Sequence, residues 1–415
     1  MYINDKEINQ ATVLVAVDTG EYDVEVSLNE LEELADTAGA QVVGRIVQNL
    51  VKHNPATFVG SGKLEEIKEF CDANEVELLI FDHELSPTQI KNLEKFTSRT
   101  IIDRTMLILD IFAQRALTKE GKLQVEIAQQ KYLLPRLIGL GNSLSRLAGG
   151  IGTRGPGESK LETDRRHIRR RIESLNTQLR ELETHQAGIR EKRKKDDVAT
   201  VAIVGYTNAG KSTLLNALTG ADVFAEDKLF ATLDLTSRAM ELPDGSEVIL
   251  VDTVGFIRRL PHHLIEAFKS TLSEAVSASV ILNVCDASSD EASTHLEVTQ
   301  KLLSELGVNE TPIITIYNKC DRLEHEIPEL SDNVVAISAK TGFGFEKLRQ
   351  LIADNLSDRQ KRMRLAIPYD SAAVVALIRK NGKILSEQYT ESGLDVEALV
   401  DTKLLHIVSQ YSVGD

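Results

Sequence analysis

At 415 residues the chain is long enough for about three domains, and 42% hydrophobic, 5% aromatic and 27% charged residues exclude a fibrous or disordered class. No apolar run approaches the length of a membrane span, and Met1-Tyr2-Ile3-Asn4-Asp5 lacks the basic-then-apolar order of a secretory signal, so a cytoplasmic protein is expected. The net charge of −15 argues against wholesale wrapping of nucleic acid, yet from Arg154 to Lys195 there are 13 Lys or Arg against 7 Asp or Glu, which is where a polyanion would dock.

Residues 11 to 116 alternate short apolar runs with helical patterns. Val13 to Val17, Val42 to Val47, Leu78 to Phe81 and Thr100 to Ile102 read as strands. Between them fall helices over Ser27 to Ala38, with Ser27 and Glu30 spaced as a capping box, Lys63 to Ala73, and Ser86 to Phe96. Strand and helix in alternation argue for a small, mainly parallel sheet covered by helices. Gly60-Ser61-Gly62-Lys63 resembles a phosphate loop superficially, but it lacks the full spacing and a Ser or Thr after the lysine, so a helix-opening turn is favoured. Cys71, Cys285 and Cys320 lie far apart without metal-ligand spacing and read as reduced, mostly structural thiols.

From Arg104 to Leu137 the pattern is helical, with few breakers before Pro135. The glycine-dense stretch from Leu147 to Glu158 follows, carrying Arg154, and so much glycine forfeits regular order while allowing close backbone approach to a ligand. Leu161 to Lys195 then reads as one long amphipathic helix, apolar at Ile168, Ile172, Leu175, Leu179 and Leu182. Arg165, Arg166, Arg169, Arg170 and Arg171 cluster on its polar side. Such a run is often a solvated face; beside a glycine-arginine loop it reads as an RNA phosphate contact.

Gly205-Tyr206-Thr207-Asn208-Ala209-Gly210-Lys211-Ser212 follows the β-branched run Val198 to Val204 and opens a helical segment from Ser212 to Leu218. Strand, glycine-bracketed loop and helix in that order make a phosphate-binding loop: converging backbone N–H groups and the helix dipole meet the phosphates. Lys211 is expected at the β- and γ-phosphates and Ser212 on Mg²⁺, with Thr213 beside it. Phe230-Ala231-Thr232-Leu233-Asp234 shows no clear period, as a mobile switch loop would; Thr232 is the choice for the second Mg²⁺ hydroxyl, with Thr236 competing. Asp252-Thr253-Val254-Gly255 ends the strand Val248 to Val251, placing Asp252 on Mg²⁺ through water and the Gly255 N–H at the γ-phosphate. Asn318-Lys319-Cys320-Asp321 follows the run Ile313 to Tyr317, and Asp321 can accept from both donors on the guanine edge that adenine lacks. Ser338-Ala339-Lys340, after Val334 to Ile337, offers a backbone N–H for the guanine carbonyl. In this order and spacing the motifs specify a GTP site, with Lys211, Thr232, Gly255 and Asn208 as the candidate catalytic residues.

After Gly255, GTPases of the Ras type place a glutamine that orients water, whereas this chain has Phe256, so unaided hydrolysis should be slow. Asn208 either shapes the loop or helps hold K⁺, as in the potassium-dependent GTPases this loop resembles; a bound partner is the other supplier of the missing group. Further strands and helices are expected at Val280 to Val284, Leu264 to Ala275, Ser293 to Leu306 and Gly344 to Leu356. Beyond lie Met363 to Ile367, a helical Ser371 to Arg379 and a strand-like Lys383 to Tyr389, a small appended unit without a catalytic motif. The expected fold is α/β: an N-terminal α/β domain over 1–115, a helical segment with the glycine-rich loop over 116–197, a P-loop GTPase domain over 198–356 and a small C-terminal α/β domain over 357–415.

Gly155-Pro156-Gly157-Glu158-Ser159-Lys160-Leu161-Glu162-Thr163-Asp164-Arg165-Arg166 ahead of a long helix, taken with the loop, Phe230 to Asp234 and Asp252 to Ile257, resembles the bacterial HflX-type GTPases over nearly the whole chain. Ser159-Lys160 departs from the Thr-Gln expected there, which touches the fine chemistry of the loop tip. The resemblance implies a GTPase that binds the large ribosomal subunit, with its glycine-rich loop near the peptidyl-transferase centre, and helps split stalled or idle ribosomes under stress; a monomer is expected. A ribosome-assembly GTPase acting on immature large subunits, or a regulatory switch with a protein partner, is the alternative.

Overall fold

The computed structural model describes residues 10–144, 156–195, 198–220, 229–230, 235–260, 264, 276–308, 311–323, 332–357, 360–390, 392–401 and 404–413. The chain divides into two compact units. The first comprises residues 1–182 together with 226–234 and 259–269, and the second 183–225, 235–258 and 270–415.

In the first unit, β1 (Ala11–Asp18), α1 (Val24–Thr37), β2 (Gln41–Asn49), α2 (Ser61–Ala73), β3 (Leu78–Phe81), α3 (Pro87–Thr97), β4 (Thr100–Asp103) and α4 (Arg104–Arg115) follow one another. The sheet is wholly parallel in the order β2-β1-β3-β4. Val13, Val15 and Val17 on one strand meet Ile67, Leu79, Phe81 and Leu93 in a fully buried core, the outcome expected when β-branched runs alternate with helices. Gly60 is the N-cap of α2, so the Gly60-Ser61-Gly62-Lys63 stretch is a helix-opening turn.

The capping box expected at Ser27 and Glu30 is not formed. Asp23 caps α1, accepting from the Val26 N–H at 3.1 Å, and Ser27 lies one turn inside the helix. Its hydroxyl donates instead to buried Asp82 Oδ2 at 2.7 Å, and Arg104 pairs with Asp82 at 3.1 Å and with Glu30. Burying a carboxylate without such partners is costly, so the long-range pairing outweighs the local cap. Arg259, within this unit, also donates to Asp82 at 2.6 Å and lies over the Tyr22 ring, while Phe230 meets Phe112 edge-on with ring centroids 4.7 Å apart.

Pro135 does not end its helix: α5 runs over Lys119–Leu144. An interior proline costs roughly 3 kcal/mol through the lost N–H bond and its ring clash. Flanking residues offset that cost, since Asp103 receives the Tyr132 hydroxyl at 2.8 Å and Arg136 at 3.1 Å. The long basic helix α6 spans Pro156–Lys195, so it begins five residues before the expected Leu161. Leu175, 1% exposed, packs with Leu123 and Ile127 of α5, flanked by Leu179 and Leu182. The glycine-rich stretch before it, including Arg154, lies outside the described residues.

The second unit carries a six-stranded sheet in the order β10-β9-β8-β5-β7-β6. Its strands are β5 (Ala199–Gly205), β6 (Thr236–Glu241), β7 (Glu247–Asp252), β8 (Val280–Asp286), β9 (Ile313–Asn318) and β10 (Val334–Ala336), covered by helices α7 (Lys211–Thr219), α8 (Ala292–Glu305) and α9 (Phe345–Ser357). All pairings are parallel except that of β6 with β7. A last three-stranded antiparallel sheet, β11 (Gln360–Pro368), β13 (Gly393–Asp401) and β12 (Gly382–Thr390), has β13 in the middle, a strand absent from the sequence reading. Helix α10 (Ala372–Asn381) closes its core, where Val375 and Ile378 meet Ile367, Val396 and Val400. Among the described residues no helix is long and apolar enough to cross a membrane.

Candidate GTP-binding site

The phosphate loop joins the end of β5 to the start of α7, and its two glycines are fixed by close approach. A Cβ on Gly205 would stand 2.1 Å from the Val284 carbonyl oxygen, and one on Gly210, at φ +90°, 2.3 Å from Asn318 Nδ2. Asn208 turns the loop with φ +59°. Lys211, 7% exposed, donates from Nζ to the Tyr206 carbonyl at 2.7 Å. Burial pushes its pKa down to about 8, with Asp252 pulling the other way. A desolvated ammonium at the positive end of a helix gains strongly from an anion placed beside it.

Asp252 ends β7, fully buried, and accepts the Ser212 hydroxyl on Oδ2 at 2.6 Å. Its other oxygen, Oδ1, is buried without a hydrogen-bond partner. Burial raises the Asp252 carboxyl, opposed by Lys211 and Ser212. A hydroxyl beside an orphaned buried carboxylate oxygen fits a hard cation that keeps part of its water shell, which is the chemistry of Mg²⁺. Thr236, the competing hydroxyl, opens β6 and pairs with Asp252 in the ladder. Ala231 and Thr232 lie outside the described residues, and the Phe230 ring is buried against Phe112.

A Cβ on Gly255 would fall 2.8 Å from Thr207 Cγ2 and 2.9 Å from Lys211 Nζ, so its backbone runs directly over the loop. Phe256, 2% exposed, packs into the core formed by Ala202, Val204, Ile281 and Leu303. It therefore has neither the chemistry nor the orientation to hold an attacking water.

Asn318 joins the base and phosphate halves of the site. It is 1% exposed, donates from Nδ2 to the Ala209 carbonyl at 2.9 Å, and accepts the Ala339 N–H on Oδ1 at 2.9 Å. Asp321 is exposed, with Oδ1 accepting the Ser338 hydroxyl at 2.6 Å; that bond holds its carboxyl below the usual carboxylate range. The aligned carboxylate is thus charged and oriented for an N–H donor pair. Lys319, at φ +63°, sets its ammonium 2.7 Å from Asp286 Oδ2.

Gly205 to Ser212, Asp252, Gly255, Asn318, Asp321 and Ser338 to Lys340 all lie at the carboxyl ends of β5, β7, β9 and β10 or in the loops that follow, where parallel sheets present ligands. Thr213 is exposed on the first turn of α7. Asp286 and His295 escaped the sequence reading. An acid at the end of the β8 run was a signal available for Asp286; none marked His295, whose partner is the Tyr206 ring.

Three family models match in succession along the chain. They are described as GTP-binding GTPase N-terminal over residues 25–113, GTP-binding GTPase Middle Region over 115–193, and 50S ribosome-binding GTPase over 200–319. The chain is 52% identical over 400 residues to GTPase HflX of Caldanaerobacter subterraneus subsp. tengcongensis, covering 96% of this chain and 92% of that protein. It is 50% identical over 403 residues to GTPase HflX of Lacrimispora saccharolytica, covering 96% and 95%. Among solved structures, that of SsGBP with GDP is similar at a TM-score of 0.47 and 26% identity, covering 84% of this chain and 99% of that one. Identity of this order, sustained through the phosphate loop and along nearly the entire length, means that the chain belongs to the HflX family of GTPases and hydrolyses GTP to GDP and phosphate.

Proposed function

We propose that this GTPase docks on the large ribosomal subunit through the α5–α6 arm, that docking accelerates hydrolysis, and that the cycle splits or rescues stalled and idle ribosomes under stress. The observation that carries the proposal is the arginine face of α6. Arg166, Arg169, Arg170 and Arg171 are exposed, Arg165 is half-buried beside them, and of the five Arg171 has an acidic partner at 2.7 Å, Glu126. A cluster of exposed guanidiniums matches RNA phosphate better than it matches the surface of an acidic chain. Arg154, in the glycine-rich stretch that precedes α6 in the sequence, is assigned to the same partner, ribosomal RNA near the peptidyl-transferase centre.

In this reading Lys211 and the loop from Tyr206 to Thr213 hold the phosphates, Ser212 and Thr232 would ligate Mg²⁺, and Asp252 would act on it through water. Mg²⁺, when bound, neutralises charge on the β- and γ-phosphate oxygens. Gly255 donates to the γ-phosphate; Asn318, Lys319, Asp321, Ser338, Ala339 and Lys340 hold guanine. Phe230 and Ala231 belong, with Thr232, to the segment that would contact GTP. Asn208 helps hold K⁺ beside the phosphates, a charge that offsets the missing glutamine.

GTP turnover measured with and without purified large subunits tests the proposal. Stimulation that disappears when Arg169, Arg170 and Arg171 are changed to Glu, with a binding constant falling steeply as salt rises, is expected. Turnover indifferent to the subunit would overturn it. Loss of light scattering from intact ribosomes on adding protein and GTP separates splitting from an assembly role on immature subunits.

A further inference from the structure

Tyr206 is the second residue of the phosphate loop, and its backbone alone would serve the phosphates. Its side chain is nonetheless 4% exposed and engaged on both its edge and its face. The hydroxyl accepts the Arg258 N–H at 2.8 Å. The ring stacks on His295 of α8, with centroids 3.8 Å apart and planes within 14°. Burial, reinforced by Arg258, pushes His295 down to about 4, so a neutral imidazole faces the phenol near pH 7. Glu291, the N-cap residue of α8 four positions before His295, pairs with Arg258 and stands 3.9 Å from His295 Nε2. Backbone bonds lie alongside: Thr207 N–H to the Phe256 carbonyl at 2.8 Å and Phe256 N–H to the Gly205 carbonyl at 3.0 Å, a parallel bridge between Tyr206 and Phe256.

We infer that Tyr206 and His295 are positioning residues for GTP hydrolysis: stacked together, they clamp the segment Gly255 to Arg258 onto the phosphate loop and so set the contact that tells GTP from GDP. The clamp acts three residues beyond Gly255, where an added Cβ would stand 2.8 Å from Thr207 Cγ2 and 2.9 Å from Lys211 Nζ. Releasing the Arg258 N–H frees the segment to lift while the bonds from Asn318 to the loop stay in place. GDP, which needs only the loop, is indifferent to the clamp; GTP is not.

The test compares Tyr206→Phe, His295→Ala and His295→Phe for affinity toward fluorescent GDP and a non-hydrolysable GTP analogue, and for single-turnover hydrolysis, with melting temperature recorded. Tyr206→Phe keeps the stack and loses the hydrogen bond from the Arg258 N–H. It should leave GDP affinity within about twofold while weakening the GTP analogue and slowing hydrolysis about fivefold. His295→Ala should do the same, and His295→Phe, which restores a flat ring, should recover most of the loss. Equal losses for GDP and the analogue would show that the tyrosine only folds the loop, and no loss for either would remove the clamp; both overturn the inference. Failure of His295→Phe to recover what His295→Ala loses would overturn the part assigned to the stack.

Discussion

Changing Asn318 to Ala would cut both ties between the base-binding and phosphate-binding halves of the site. Two bonds of 2.9 Å disappear, and with Asn318 only 1% exposed neither the Ala209 carbonyl nor the Ala339 N–H gains a ready partner in exchange. Leaving a buried polar group unsatisfied costs about 1–3 kcal/mol, so two groups place the penalty at roughly 2–6 kcal/mol. Part of that falls on folding and part on the nucleotide, because the ligand re-orders what the mutation loosens. Even about 2 kcal/mol charged to binding weakens GDP about thirtyfold. Equilibrium titration with fluorescent GDP, at a temperature well below the melting point of both proteins, reads this directly. A variant that binds GDP within threefold of the parent would refute the idea that Asn318 couples the two halves, whatever its melting temperature.

Other outcomes follow from the same geometry. Asp321→Asn should lose guanine preference and gain affinity for xanthine nucleotides, since the amide can donate to the second xanthine carbonyl; unchanged selectivity would show that Asp321 does not read the base. Lys211, lowered to about 8 from its ordinary 10.5, makes the folded state release its proton before the unfolded chain does. Stability therefore rises as pH climbs from about 8 toward 10.5, and the melting temperature of the nucleotide-free protein should gain on that of Lys211→Met over that window; a constant difference would contradict the burial argument. Turnover should be faster in K⁺ than in Na⁺ buffers, with Asn208→Ala abolishing the difference, and equal rates in the two salts would dispose of K⁺.

The sequence by itself determined the phosphate loop, the order of its partner motifs and most strands of both parallel sheets. These features are local: contiguous β-branched runs, a glycine-bracketed loop and a helix pattern each depend on near neighbours in the chain. Only tertiary structure decided the rest, because there the partners stand far apart in sequence. Ser27 has the spacing of a cap, yet burial of Asp82, 55 residues on, makes it a donor to that carboxylate. Pro135 should break a helix, yet Tyr132 and Arg136 are fastened to Asp103 and the helix runs on. The edge strand β6, Thr-Ser-Arg-Ala-Met-Glu, shows no apolar run and exists through its ladder to β7. Tyr206 and His295 lie 89 residues apart, and neither has a neighbour in the sequence that announces the other; the fold stacks them because α8 covers the sheet face that carries Ala202 and Val204 of β5.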